Sequence, residues 1–238
     1  LINDKNIGQT ASLNKGLVRA QGKYVARFDQ DDVCLPRRLE EQFIFFKNNP
    51  SVSIVCSREY SINEKGEKIG AWNRELNNYG AFLGYVILGI NPIWTPSVMF
   101  IKNDIMQLDG FDENFGPASD FELWRRIAIK RLNAKIVPQF HQLRRIHHLS
   151  QSNLKLDEQS LAKEKALSNV LKYFLEEGDN NDLLKALLLD SFKINKFDKK
   201  TPHIILNKID ILIEAIALKQ NLNKEEVDFL MEDNFSYD

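Results

Sequence analysis

Cysteine is nearly absent from this chain: Cys34 and Cys56 are the only two among 238 residues. Two cysteines build neither a disulfide framework nor a cysteine-rich metal cluster, and they fit a reducing, cytoplasmic compartment. Surplus charge is missing as well. With 32 Lys and Arg against 33 Asp and Glu, the net charge is -1, which argues against a broad attraction to nucleic acid. No apolar run approaches the roughly 20 residues of a membrane-spanning helix. No stretch reads as a signal peptide or an internal repeat. What remains is 43% hydrophobic and 27% charged, the profile of a globular protein with one large domain, or one domain and an appendage.

The first residues, Leu1-Ile2-Asn3-Asp4, read as the tail of a strand, so the chain is expected to begin inside a larger domain. Asn6-Ile7-Gly8 is a turn signal. Thr10 to Ala20 read as a helix, ended by Gln21-Gly22-Lys23 with Gly22 suited to a left-handed cap. Tyr24 to Phe28 carry strand-like β-branched and aromatic content. A helix, a short turn and a strand point to a crossover unit of an α/β fold.

Asp29-Gln30-Asp31-Asp32 follow directly. Three carboxylates thus fall where a strand ends, and α/β sheets bind ligands outside the carboxyl ends of their strands. Crowded carboxylates repel one another unless a cation or strong donors offset them. Mg²⁺ takes one or two carboxylates and completes its shell with water and substrate phosphates. The alternative is a polar turn, a common place for Asp.

Pro36 fits the first turn of a helix, with Leu39, Phe43 and Phe46 as its buried stripe. Val52 to Cys56 read as a strand, and residues 72 to 91 are ambiguous. Asn91-Pro92-Ile93-Trp94-Thr95-Pro96-Ser97 form a stiff loop before the strand Val98 to Ile101. Trp94 could stack on a sugar ring or simply cover the core. Ser119 and Glu122 have capping-box spacing. Asp120 then lies in a first helical turn, either as a helix-start residue or as a general base kept charged by the helix dipole. Lys135 to Pro138 suggest another strand, followed by Arg144-Arg145-Ile146-His147-His148, which could bind metal, phosphate or both. Beyond Asn153 the pattern turns helical, at residues 161–174, Leu183–Phe192, Ile204–Leu218 and Lys224–Met231. That region reads as an appendage packed on the domain or on a partner.

Taken together, the run from Asn6-Ile7-Gly8 through Ser12-Leu13-Asn14-Lys15-Gly16, Ala20 to Asp32 and Pro36 to Gln42 resembles the family 2 glycosyltransferases. So do Asn91-Pro92 with Pro96-Ser97, Gly110-Phe111-Asp112-Glu113, Ser119-Asp120-Phe121-Glu122 and Arg145-Ile146-His147. The resemblance covers 1–153, leaving 154–238 as a helical C-terminal region. It implies a GT-A, Rossmann-like α/β fold with a mostly parallel sheet flanked by helices, whose first strands would lie upstream of Leu1. It implies metal-dependent, inverting transfer from a nucleotide diphosphate sugar to an acceptor hydroxyl.

By that resemblance, Asp120 is the base. Asn6, Gly8, Asn14, Asp29, Asp31 and Arg145 bind the nucleotide sugar, and Asp29, Asp31 and His147 hold a divalent Mn or Mg ion. The acceptor is expected to be a glycan or glycolipid of polysaccharide assembly, received by the stretch from Trp72 to Trp94. No nucleic-acid partner is expected. Membrane-surface contact at the inner face, or oligomerisation, would run through the C-terminal helices. The chain departs from the family pattern at Ser119 (usually acidic), Thr95 (usually His) and Arg144 (usually Tyr). A binding protein without catalysis and a metal-dependent nucleotidyltransferase are the alternatives.

Overall fold

A computed structural model describes residues 2–76, 78–148, 155–175, 183, 184, 187 and 201–235, the last stretch with side chains at 210–228 and 230. In chain order the elements are α1 (Gln9–Arg19), β1 (Tyr24–Ala26), β2 (Val33–Cys34), α2 (Arg38–Asn48), β3 (Val52–Ile62), β4 (Lys68–Trp72) and α3 (Tyr79–Ile87). There follow β5 (Met99–Ile101), α4 (Lys102–Met106), α5 (Ser119–Ile129), β6 (Asn133–Arg145), α6 (Leu156–Phe174), α7 (Thr201–Gln220) and α8 (Lys224–Phe235). Short 3-10 turns at Thr95–Ser97 and Glu113–Ala118 lead into β5 and α5. Of the expected strand tail at the start, Leu1 lies outside the described residues and Ile2 to Asp4 are not in a strand. The expected helix at 183–192 also lies mostly outside them.

The sheet runs β1-β5-β3-β6-β2, with β4 joined to the far half of β3. Helices cover both faces, as an α/β fold requires, but the sheet is mixed rather than mostly parallel. Among the described strands, β3 and β6 form the parallel pair, while β1–β5, β3–β5, β3–β4 and β2–β6 are antiparallel. The crossover through α2 does orient β1 and β3 alike. The chain then enters β5 from the end where β1 stops, marked by the Arg27 N–H donating to the Val98 carbonyl at 2.8 Å. β5 therefore slots between β1 and β3 in the opposite direction.

β3 is buried along almost its whole length, as expected of a strand covered on both faces. Its alternation divides the core. Val55 joins Phe46, Met99 and Val137 beneath α2. Ile54 and Cys56 face the larger cluster with Phe82, Trp124, Leu167, Leu212 and Leu230. Trp124 is fully buried there, and truncation of such a side chain costs about 3–5 kcal/mol. The C-terminal helices share this cluster. Tyr79 Oη donates to the Ala128 carbonyl at 2.5 Å, with Gln220 2.9 Å away, and Arg131 pairs with Glu226 at 2.9 Å. Gly80 lets α3 meet α8, because a Cβ there would lie 2.3 Å from the Glu226 carbonyl oxygen.

Three local expectations are corrected. Leu39 and Phe43 are 55% and 43% exposed, and α2 instead buries Arg38 (2%) and Gln42 (0%) beside Phe46. These two polar side chains face inward because they have partners: Arg38 donates to the Arg27 carbonyl at 2.6 Å and to Gln142 at 3.2 Å, and Gln42 donates to the Ser97 carbonyl at 2.7 Å. Pro36 precedes α2, which starts after Arg37 in a left-handed conformation (φ 68°). The capping box does not form, since the N-cap of α5 is Ala118. Ser119 Oγ meets Thr10 Oγ1 at 3.2 Å. Buried Glu122 pairs with Arg125 and Arg126, each at 2.6 Å.

Candidate active site

A cavity of about 750 Å³ opens at the carboxyl end of β1. The acidic loop Asp29 to Asp32 forms one wall, and Asn91, Trp94, Thr95 and Asp120 form another. Arg144, Arg145 and His147 enter from the end of β6, while Gln9 and Ser12 of α1 and Gln159 of α6 complete the rim.

The acidic loop is stapled to β6. Asp32 accepts from Gln142 Nε2 at 2.5 Å and from the Arg145 backbone N–H at 2.9 Å. Gln142 is in turn held by Arg38, so the buried arginine of α2 supports the loop from beneath. Asp29 pairs with Arg27 at 3.0 Å. Burial pushes the Asp29 carboxyl above the ordinary range; Arg27 opposes the rise, and Asp31 and Asp120 add to it. Asp32 is likewise raised, by burial first and against its donors Arg145 and Gln142. Asp31 projects into the cavity and meets His147 Nε2 at 2.9 Å.

Asp120 is set by the stiff loop before β5. Its Oδ2 accepts from Thr95 Oγ1 at 2.6 Å and from Asn91 Nδ2 at 3.2 Å, and its Oδ1 accepts from the Phe121 N–H at 2.7 Å. Arg74 supports this arrangement by donating to the Asn91 carbonyl at 2.6 Å. The carboxylate lies in the first turn of α5.

From the sequence alone Glu59 carries no site role, Trp94 only the sugar-stacking option, and Arg144 only a share in the basic run that could bind metal or phosphate. The Arg144 guanidinium sits 4.0 Å from the Trp94 ring centroid, a cation–π contact. Behind them Glu59 is 1% exposed. Burial pushes Glu59 up to about 8, opposed chiefly by the charge of Arg144 and slightly by the Trp94 N–H. Glu59 Oε2 and Trp94 Nε1 are both buried without a hydrogen-bond partner among the described residues. The available signal was register, which needs the sheet: Glu59 pairs with Gln142, and Ser61 with Arg144.

The fold brings Asp29, Asp31, Asp120, Arg145 and His147 to one cavity. Arg145 spends its guanidinium on loop carbonyls, those of Asp31 (3.2 Å), Asn63 (3.1 Å) and Glu64 (3.2 Å). Asn6, Gly8 and Asn14 do not line the cavity. Asn6 caps its own turn by accepting from the Gly8 N–H at 2.9 Å. Asn14 holds the 111–113 loop, donating to the Phe111 carbonyl at 2.7 Å and accepting from its N–H at 2.9 Å. The middle of the stretch from Trp72 to Trp94 is the buried helix α3, and from its end Asn91 and Trp94 reach the cavity.

Among the described residues, no three His, Cys, Asp or Glu side chains are gathered for a metal ion. Asp31 with His147, beside Asp29, nonetheless suits an ion that draws its remaining ligands from water and phosphate. The mutual crowding of Asp29, Asp31 and Asp120 is the electrostatic setting a cation relieves. No helix among the described residues is long and apolar enough to cross a membrane.

Residues 1–107 match the model of glycosyl transferase family 2. An uncharacterized glycosyltransferase of Methanocaldococcus jannaschii, MJ1057, is 30% identical over 141 residues, 58% of this chain and 47% of that protein. The amylovoran biosynthesis glycosyltransferase AmsE of Erwinia amylovora is 27% identical over 128 residues, 52% of this chain and 45% of AmsE. The chain thus spans about half the length of these curated relatives. Among solved structures, S. aureus TarS 1-349 superposes with a TM-score of 0.54 at 15% identity, covering 94% of this chain and 63% of that one. The mannosyltransferase PcManGT of Pyrobaculum calidifontis, in complex with GDP-Man and Mn²⁺, gives 0.50 at 14%, covering 98% and 60%. Residues 1–107 are thus similar to glycosyl transferase family 2, and the chain shares the α/β fold of these solved glycosyltransferase structures.

Proposed function

We propose that this protein transfers a sugar from a nucleotide diphosphate sugar to an acceptor hydroxyl with inversion. Residues 1–153 would carry the chemistry and 154–238 would support it. The observation that carries this reading is the opposition of the Asp29–Asp31 loop to a separately held carboxylate, Asp120, across one cavity. Asp31, Asp29 and His147 would hold a divalent ion. When bound, such an ion supplies Lewis-acid neutralisation of the charge on the leaving diphosphate.

Asp120 takes the proton of the attacking hydroxyl. Thr95 and Asn91 occupy Oδ2, and the Phe121 N–H takes one side of Oδ1, which leaves the second lone pair of Oδ1 for that proton. One base and direct attack from the far side invert the anomeric centre without an enzyme nucleophile. Likeness to AmsE, named for amylovoran biosynthesis, supports a glycan or glycolipid acceptor in polysaccharide assembly.

The test is product analysis with a panel of nucleotide sugars and Mn²⁺. Release of nucleoside diphosphate, lost in Asp120→Asn while donor binding is kept, supports the reading. Release of pyrophosphate would make the protein a nucleotidyltransferase. Donor binding with no turnover of any donor would make it a binding protein.

A further inference from the structure

We propose that Arg144, seated on Trp94 and backed by buried Glu59, is the residue that receives a substrate phosphate in this cavity. This deepens the transfer reading, on which it rests for the identity of the donor. Three observations carry it. First, the other two arginines of the cavity are committed: Arg27 pairs with Asp29 at 3.0 Å, and Arg145 ties Asp31, Asn63 and Glu64 together through their carbonyls. Among the described residues, the Arg144 guanidinium instead rests on an aromatic face, which leaves its N–H edge for a ligand. A planar fork of this kind matches a phosphate in a bidentate manner.

Second, the platform is built rather than incidental. In the parallel pairing of β3 and β6, Glu59 stands beside Gln142 and Ser61 beside Arg144, so these side chains share one sheet face. Glu59 is almost wholly buried, and its Oε2 has no hydrogen-bond partner among the described residues. Third, the two groups stand in each other's field: the charge of Arg144 is the principal influence opposing the effect of burial on Glu59. Glu59 is therefore a positioning residue: it fixes where the cation sits without touching substrate.

The experiment is calorimetric titration of the 238-residue chain with inorganic pyrophosphate in Mg²⁺ buffer, with UDP and GDP in parallel. Arg144→Gln is expected to weaken pyrophosphate about ten- to hundredfold at unchanged Tm. Arg144→Lys should recover only part of this, because an ammonium is a point charge. Glu59→Gln should weaken binding severalfold, and that loss should vanish in the Arg144→Gln background. Additive losses would reduce Glu59 to a merely structural role and overturn its part of the proposal. Loss of UDP, GDP and pyrophosphate together assigns Arg144 to the donor diphosphate, whereas loss of pyrophosphate alone assigns it to a phosphate carried by the acceptor. Pyrophosphate binding by Arg144→Gln within twofold of wild type, or none by wild type, overturns the proposal. Wild type that binds pyrophosphate through Arg144 but turns over no donor would sink the transfer reading and leave this one standing.

Discussion

The two carboxylate walls of the cavity differ in how they are held. Asp120 is fixed from three directions by neighbours in the fold: Thr95, Asn91 and its own helix start. Asp31 stands at the other wall with His147 against one oxygen, and the tight bonding of that loop falls on Asp32 instead. One wall is preset before any ligand arrives, and the other is left for a ligand to complete. A base must be aimed at a proton in advance, because misplacement forfeits the benefit of orientation. A cation and diphosphate site can be assembled by its occupants.

The sharpest way to break this contrast is at the preset wall. Asp120→Asn should lower transfer about 10²- to 10⁴-fold while leaving donor affinity and Tm near wild type, read by steady-state kinetics and a thermal melt. Weakening both functions equally would mean that the walls are not separate. Asp31→Ala should do the reverse. Donor affinity in Mn²⁺ should fall about ten- to hundredfold, and the donor-induced rise in Tm that chelator removes from wild type should already be missing. Thr95→Val then tests the presetting itself. Loss of the 2.6 Å bond to Asp120 should cost about tenfold in kcat with KM unchanged, and a kcat equal to wild type would show that the bond aims nothing.

An effect of a different kind, on stability rather than on turnover, lies beneath the cavity at Glu59. Its carboxyl is pushed up to about 8 from an ordinary 4.5. Between these values the native chain holds a proton that the unfolded chain has released, so Glu59 lowers stability progressively as pH rises from 4.5 to 8, with no further change above. Glu59→Gln should flatten this part of the pH–stability curve in urea melts. A curve as steep as wild type would place the titration elsewhere.

Much of the acidic wall was legible because its information is local. The residues Lys23 to Asp32 spell a strand that runs out into carboxylates, and neither feature depends on distant partners. Asp120 was legible as a first-turn acid, but the capping box proposed with it was not real: Ser119 and Glu122 answered to Thr10, Arg125 and Arg126 instead. Apolar periodicity misread α2 because part of the core beneath it is polar, beside the apolar cluster around Phe46. Arg38 and Gln42 turn inward to carbonyls of Arg27 and Ser97 that only the folded sheet brings near. The same limit applies to Arg144 and Arg145. Adjacent strand residues point to opposite faces, and nothing in two consecutive arginines says which one rests on Trp94 and which ties loop carbonyls together.

The staple at Asp32 sets an order in time. Its two partners, Gln142 and Arg145, lie 110 and 113 residues further along the chain. At ribosomal speeds of about 5–20 residues per second, they are synthesised roughly 6 to 20 s after the acidic loop. Through that interval the acidic loop is without the two donors that hold Asp32, and β1 waits for its partner β5. The acidic loop is thus made early and fastened late, and a nascent chain halted before β6 would carry the carboxylates without the donors that hold Asp32 in place.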